Sequence, residues 1–305
     1  MNIIINNIRR KISWIFKDPY FVISYILGKY IPSYFRLNQN KIAYSMGIRG
    51  KYFILSFDCD TTKDIEVVES VHSRLKELGI KPSYAVPGEL LLEGRDIYKA
   101  LEEDGAEFIN HGYQSHTSYL PIKKSYVSTL FYEKLTDAEV HTDISKGHAA
   151  YFEVFGKYPI GFRTPHFGGY QSKKNLRHLY SVLTYFGYRF SSSTSPIVSM
   201  WKGPIIRTKN GIIEIPVSGC YDYPARILDS WSFRFSPTRK LTEKDYVIQF
   251  KKAVEYIKSS KGSHILNIYA DPSQVYDWPE FFECMAMTNG LHNISFANLT
   301  DKVSQ

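Results

Sequence analysis

From residue 51 onward, short apolar runs alternate with longer stretches in which apolar residues recur every three or four positions. The runs predict strands at Tyr52–Phe57, Ser83–Val86, Glu107–Asn110, Gly161–Thr164, Arg189–Ser192, Ile212–Val217, His264–Tyr269 and Ile294–Ala297. The periodic stretches predict helices over Asp64–Leu78, Asp96–Glu103, Asp137–Phe155, Asn175–Phe186 and Thr242–Lys258. Residues at the helix ends agree. Thr62 or Lys63 precedes the first helix, Gly79 and Gly156 follow the first and third, and Leu241-Thr242-Glu243-Lys244-Asp245 has the form of a capping box. Strands alternating with helices imply parallel β/α units. The order predicts an α/β fold of the distorted (β/α) barrel kind, without internal repeats or low-complexity segments.

Tyr52–Phe57 is apolar throughout, so it needs cover on both faces and reads as a buried strand. Asp58, Cys59 and Asp60 follow at its C-terminal end, where α/β proteins keep their chemistry. Side chains alternate along a strand, so the two carboxylates share one side and Cys59 points to the other, into the core. The segment His111-Gly112-Tyr113-Gln114-Ser115-His116 supplies two imidazoles. One carboxylate and two imidazoles suit Zn²⁺ with an open fourth position: Asp60, His111 and His116 as ligands, with Asp58 working on the water. The bland reading is an acidic strand end and two loop histidines without a metal; the conjunction of both segments favours coordination. His72, His141, His148, His178, His264 and His292 lack such partners and read as solvated or packed.

Composition narrows the class. A length of 305 residues, 44% hydrophobic and 22% charged, makes a folded chain large enough for one barrel-sized domain. The net charge of +8 favours anionic partners, but the basic residues are spread along the chain and no nucleic-acid motif accompanies them, so no nucleic acid is expected. Cys59, Cys220 and Cys284 are odd in number and far apart, which argues against a disulfide framework and for a reducing compartment.

The first 48 residues form a basic, aromatic arm ahead of a main domain spanning 49–305. Arg9, Arg10, Lys11 and Lys17 surround Ile12, Trp14, Ile15 and Phe16, and an aromatic-rich run from Tyr20 to Phe35 follows, interrupted by Lys29 and Pro32. The arm lacks the order of a signal peptide, and its apolar run is too short and broken to span a bilayer. It suits peripheral contact with an anionic membrane and suits equally a helix pair packed on the domain. A cytoplasmic protein, peripheral on the inner face of the membrane, is the corresponding expectation.

Phe57-Asp58-Cys59-Asp60, His111 to His116, Gly161-Phe162-Arg163-Thr164-Pro165 and Ile213-Glu214-Ile215-Pro216-Val217 occur in the order seen in the NodB-homology polysaccharide deacetylases. The connections Phe155-Gly156-Lys157-Tyr158-Pro159 and Phe186-Gly187-Tyr188-Arg189-Phe190 also resemble that family, and the likeness covers roughly residues 51 to 300. It implies a metal-dependent hydrolase that removes an N-acyl group, usually acetyl, from an amino sugar. Carried over, Asp58 matches the catalytic base, Asp60, His111 and His116 the metal ligands, and Arg163 the residue that orients the base. Pro165, Tyr221 and Trp231 are expected at the substrate; Tyr221 and Trp231, with Tyr223 and Phe233, offer a sugar-stacking wall or plain core packing.

Three departures stand out. The family spaces its histidines by four, whereas His111 and His116 are five apart, which requires a loop there. His166 stands where an aromatic residue normally follows the Arg-x-Pro motif. Asp271 stands where the family has a late-strand histidine that protonates the leaving amine. Position favours Asp271 as the general acid and intrinsic acidity favours His166; the sequence leans to His166, with Asp271 structural. Two other functions compete: a glycosyltransferase using Asp58-Cys59-Asp60 as an Asp-x-Asp motif, and a deacetylase homologue that binds carbohydrate without turnover. The expected substrate is an N-acylated sugar, lipid- or nucleotide-linked, of surface-polysaccharide assembly.

Overall fold

A computed structural model describes residues 19–167, 169–236 and 241–304. Its strands are β1 (Lys51–Asp58), β2 (Ser83–Val86), β3 (Glu107–Asn110), β4 (Thr117–Leu120), β5 (Ser125–Ser128), β6 (Gly161–Phe162), β7 (Phe190–Ser191), β8 (Ile206–Arg207), β9 (Ile213–Glu214), β10 (His264–Ala270) and β11 (His292–Asn293). Nine of them make one curled sheet in the order β10-β1-β2-β3-β6-β7-β9-β8, with β11 on β1. Every pairing along it is parallel except β8 with β9. The chain is thus a distorted (β/α) barrel.

No strand ladder joins β9 to β10 among the described residues. Asn267 of β10 closes the gap with its side chain instead, its Nδ2 donating to the carbonyls of Ile215 and Pro216, both at 3.1 Å. Ser218 N donates to the Asn267 carbonyl at 2.7 Å, and Asn267 N returns a bond to Ser218 Oγ at 2.9 Å.

β1 shows how the sequence divides the two faces of the sheet. Phe53, Leu55, Phe57 and Cys59 enter the core shared with Val68, Val71 and Leu75 of helix Thr62–Glu77. Tyr52 and Ile54 face the barrel interior with Ile109, Phe190, Ile213 and Ile265. Each of these buried aliphatic or aromatic side chains contributes about 1.5–3 kcal/mol. Ser56 and Asp58 stand in phase with Ile54, so the first carboxylate reaches the mouth of the interior.

The floor of the barrel is filled by Ala43 and Ile48 from the N-terminal segment and by Phe296 and Leu299. The segment Ile294–Ala297 is not a strand. β11 ends at Asn293, and helix Phe296–Ser304 begins there because the Glu107 carboxylate accepts from Phe296 N and Ala297 N, at 2.9 and 2.8 Å, capping the helix from another strand.

Two helices, Pro19–Tyr30 and Pro32–Ser45, precede the barrel. Phe35 packs edge-on against Trp201 with ring centroids 5.0 Å apart, and Asn40 Nδ2 lies 3.0 Å from His264 Nε2. The basic cluster Arg9, Arg10, Lys11 and Lys17 falls outside the described residues.

Candidate metal centre and active site

Asp60 follows β1, and His111 and His116 bracket a loop after β3. All three are buried, with ligand atoms within 4.8 Å of one another. Asp60 Oδ1 lies 2.9 Å from His116 Nε2 and 3.4 Å from His111 Nε2. None of these three atoms has a hydrogen-bond partner. Buried polar atoms without partners are costly, so three of them converging on one point is the arrangement a cation would satisfy. Two imidazoles and a carboxylate are borderline-to-hard donors, fitting Zn²⁺ among divalent ions.

Neighbouring groups set the protonation of this cluster. Burial pushes the Asp60 carboxyl up, but the imidazoles of His116 and His111 outweigh it and hold the carboxyl well below its usual range. Burial pulls His116 down, and the Asp60 charge more than reverses this. The Arg163 carbonyl sits 2.8 Å from His111 Nδ1 and can only accept, so Nδ1 is the donor and Nε2 is the nitrogen turned toward Asp60.

The five-residue spacing works because the loop is tied down from outside. Gly112, at φ +81°, makes the turn; a Cβ there would come within 2.3 Å of Asp143 Oδ2. Asp143 accepts from Tyr113 N at 3.1 Å, Gln114 N at 3.0 Å and the Tyr132 hydroxyl at 2.6 Å. Asn110 Oδ1 takes Gly112 N at 3.0 Å, and Thr117 Oγ1 donates to Asp60 Oδ2 at 3.2 Å. Sequence reasoning overlooked Asp143. Its signal was a carboxylate on the apolar face of helix Asp137–Phe155, in register with Val140, Ile144 and Gly147.

Beside the triad, Arg163 is fully buried and its NH1 donates to Asp58 Oδ1 at 2.6 Å. Its other nitrogens donate to Ser192, Nε to the carbonyl at 3.3 Å and NH2 to Oγ at 3.2 Å, which fixes the guanidinium plane. Pro165 is buried behind it.

His166 has φ +58°, unusual for a residue with a side chain. Its ring stands edge-on to His116 at 5.0 Å and tilts over Phe131 at 5.2 Å. Burial, reinforced by His116, pushes its imidazole down to about 4. Asp271 follows β10; the β1–β10 register pairs Phe57 with Ala270, so Asp58 and Asp271 leave adjacent strands side by side. Asp271 N donates to Ser230 Oγ at 3.1 Å, and Gln274 Nε2 donates to the Asp271 carboxylate. Burial first, then the charges of Asp60, Asp64 and Asp58, push the Asp271 carboxyl well above its usual range.

The expected substrate wall divides. Trp231 is half-exposed on helix Ser230–Arg234, next to the Ser230 that holds Asp271. Tyr221 lies under the Arg36 guanidinium, 3.9 Å away, and Phe233 is buried in the core. Cys59, Cys220 and Cys284 are all buried.

Residues 47–186 match the family model for polysaccharide deacetylases. No curated protein matches the chain by sequence. Among solved structures, one from Mycobacterium smegmatis assigned as a polysaccharide deacetylase is 16% identical with a TM-score of 0.59, covering 84% of this chain and 91% of that one. Another from Pseudomonas aeruginosa, assigned to the same class, is 11% identical with a TM-score of 0.60, over 86% and 92%. The PuuE allantoinase is 10% identical with a TM-score of 0.61, over 82% and 89%. At such identities these three share the fold, and the fold alone does not choose a substrate. The matched stretch, 47–186, holds Asp58, Asp60, His111, His116 and Arg163, and over it the chain resembles the polysaccharide deacetylases, a family of carbohydrate deacetylase hydrolases.

Proposed function

We propose that the protein hydrolyses the N-acyl group, acetyl above all, of an amino sugar, with a divalent metal held by Asp60, His111 and His116. The observation that carries this is the convergence of three unpartnered lone-pair atoms beside the Asp58–Arg163 pair. A cation bound there supplies Lewis acidity for the amide carbonyl and makes water acidic enough to lose a proton near neutral pH. Zn²⁺ is the ion the donor set fits best.

Asp58 is the base. Its Oδ1 is engaged by Arg163, which fixes the rotamer and leaves Oδ2 to take a proton from water. That engagement also tells against the Asp-x-Asp reading, in which both carboxylates serve a cation and its diphosphate. Cys59 and Cys284, buried and outside any disulfide, suit the intracellular, carrier-linked sugar of surface-polysaccharide assembly that we favour as substrate.

For the acid, the balance moves from His166 to Asp271. A group must hold a proton to donate one. An imidazole near 4 is neutral at pH 7, whereas a carboxyl pushed well up keeps its proton. Asp271 also leaves its strand beside Asp58, at the same end of the sheet. Activity should therefore persist below the raised Asp271 value and fade as pH rises through it. In Asp271→Asn the rate falls on the order of 10²-fold and the alkaline limb of the pH–rate profile disappears; His166→Gln keeps that limb. A limb lost in His166→Gln and kept in Asp271→Asn returns the role to His166.

The direct test is acetate release. Zinc-loaded protein should liberate acetate and an equal amount of free amine from N-acetylated amino sugars, free or carrier-linked. A fully metallated protein that releases none from any of them is a binding homologue without turnover.

A further inference from the structure

We propose that helices Pro19–Tyr30 and Pro32–Ser45 form a docking face for an anionic lipid surface. Eight of the eighteen large apolar side chains exposed among the described residues lie between Ile23 and Tyr44. They are not scattered. Ile23, Ile26 and Tyr30 are three and four residues apart on the first helix, and Tyr34, Leu37 and Tyr44 are three and seven apart on the second, so each set lies on one helix face. Tyr30 is 71% exposed, Leu37 66% and Tyr44 57%. The opposite faces are anchored: Ser24, Phe35 and Ala43 are fully buried, and Phe35 packs on Trp201. The helices are thus held to the domain by one side and present an apolar, tyrosine-rich side to solvent. Soluble surfaces seldom expose so concentrated an apolar patch without a partner.

Charge identifies the partner. Basic residues are spread along the chain, but uncompensated charge is not: residues 1–50 hold eight Lys or Arg against one acidic residue, Asp18, so seven of the chain's eight excess positive charges lie there. Lys29, Lys41 and Arg49 are exposed among the apolar residues. Arg49 stacks over the Tyr44 ring at 3.8 Å, and Lys29 stands 5.4 Å from the Tyr30 centroid. A cationic rim around Ile, Leu and Tyr suits the boundary between anionic headgroups and acyl chains. Among the described residues no helix is long and apolar enough to cross a membrane, so the contact is peripheral.

The test is co-sedimentation of the full chain with vesicles of phosphatidylcholine alone or with about 30% phosphatidylserine. Wild type should bind the anionic vesicles about tenfold or more better than the neutral ones, and raising salt from about 0.1 to about 0.5 M should weaken it. The triple variant Ile26→Ser/Tyr34→Ser/Leu37→Ser should lose about tenfold or more of that binding with an unchanged thermal midpoint, since all three side chains are exposed. Three results would overturn the proposal: no vesicle binding by wild type, undiminished binding by the triple variant, or a wild-type dimer that the triple variant turns into a monomer, which would make this face a contact between copies.

Discussion

Asp58→Asn should keep its metal and lose turnover by about 10²-fold or more. The amide has nearly the shape of the carboxylate but cannot accept the proton that hydrolysis removes from water. Asp58 is not one of the three clustered ligands, so one equivalent of zinc should remain. The change has a second effect with a different signature. Arg163 is fully buried and Asp58 is its anionic partner, so removing the charge leaves a cation unpaired in the interior, at a cost of about 3–5 kcal/mol. The thermal midpoint should fall along with the rate. Arg163→Lys would separate the two: the charge remains, the fork that fixes Asp58 through Ser192 is lost, and the rate should drop less than in Asp58→Asn. An Asp58→Asn protein that hydrolyses substrate at the wild-type rate removes Asp58 from the base role.

His116→Ala should lower metal affinity by at least about 10²-fold, so that dialysis against a weak chelator leaves far less than one equivalent. His116 offers one of the three clustered ligand atoms, and its replacement by alanine removes the imidazole 2.9 Å from Asp60. His148→Ala is the matched control: that ring stacks on Tyr158 and lies outside the cluster, so its loss should leave zinc content unchanged. Because Asp60 raises the affinity of His116 for a proton, protons and metal compete there, and wild-type occupancy should fall as pH drops through the raised His116 value. Full zinc content in His116→Ala would show that the five-residue spacing makes no site.

The parts of the fold legible in the sequence were those with local causes. Helix Asp137–Phe155 has the predicted ends because Thr136 and Glu139 cap one and Gly156, at φ +68°, closes the other. β1 announced itself by an apolar run covered on both faces. The errors have physical reasons too. Ile294–Ala297 is a short apolar run, which periodicity cannot assign; the helix start at Phe296 is capped locally by Ser295 Oγ and also by the Glu107 carboxylate, far away in sequence. The hairpin β4–β5 was missed because its turn places Lys124, not glycine, at φ +45°. At the site, the sequence of residues 58–60 and 111–116 pointed to the same Asp60, His111 and His116 that the fold brings within 4.8 Å of one another. The proposal of Asp271 over His166 as the acid had no basis in the sequence, because it depends on burial and on carboxylates that meet only in the folded chain.

The ladder between β1 and β10 has a further consequence. Seven consecutive backbone pairs lock these strands, and the proposed base and acid sit one step past its end. Their separation is therefore fixed by peptide geometry, which no neighbouring substitution can stretch. The histidines, by contrast, hang on a loop moored by Asp143 and Asn110. Evolution could lengthen that loop by a residue and retune the ion without disturbing the proton-transfer pair. Insertions between 111 and 116 should be survivable in a way that insertions in either strand are not.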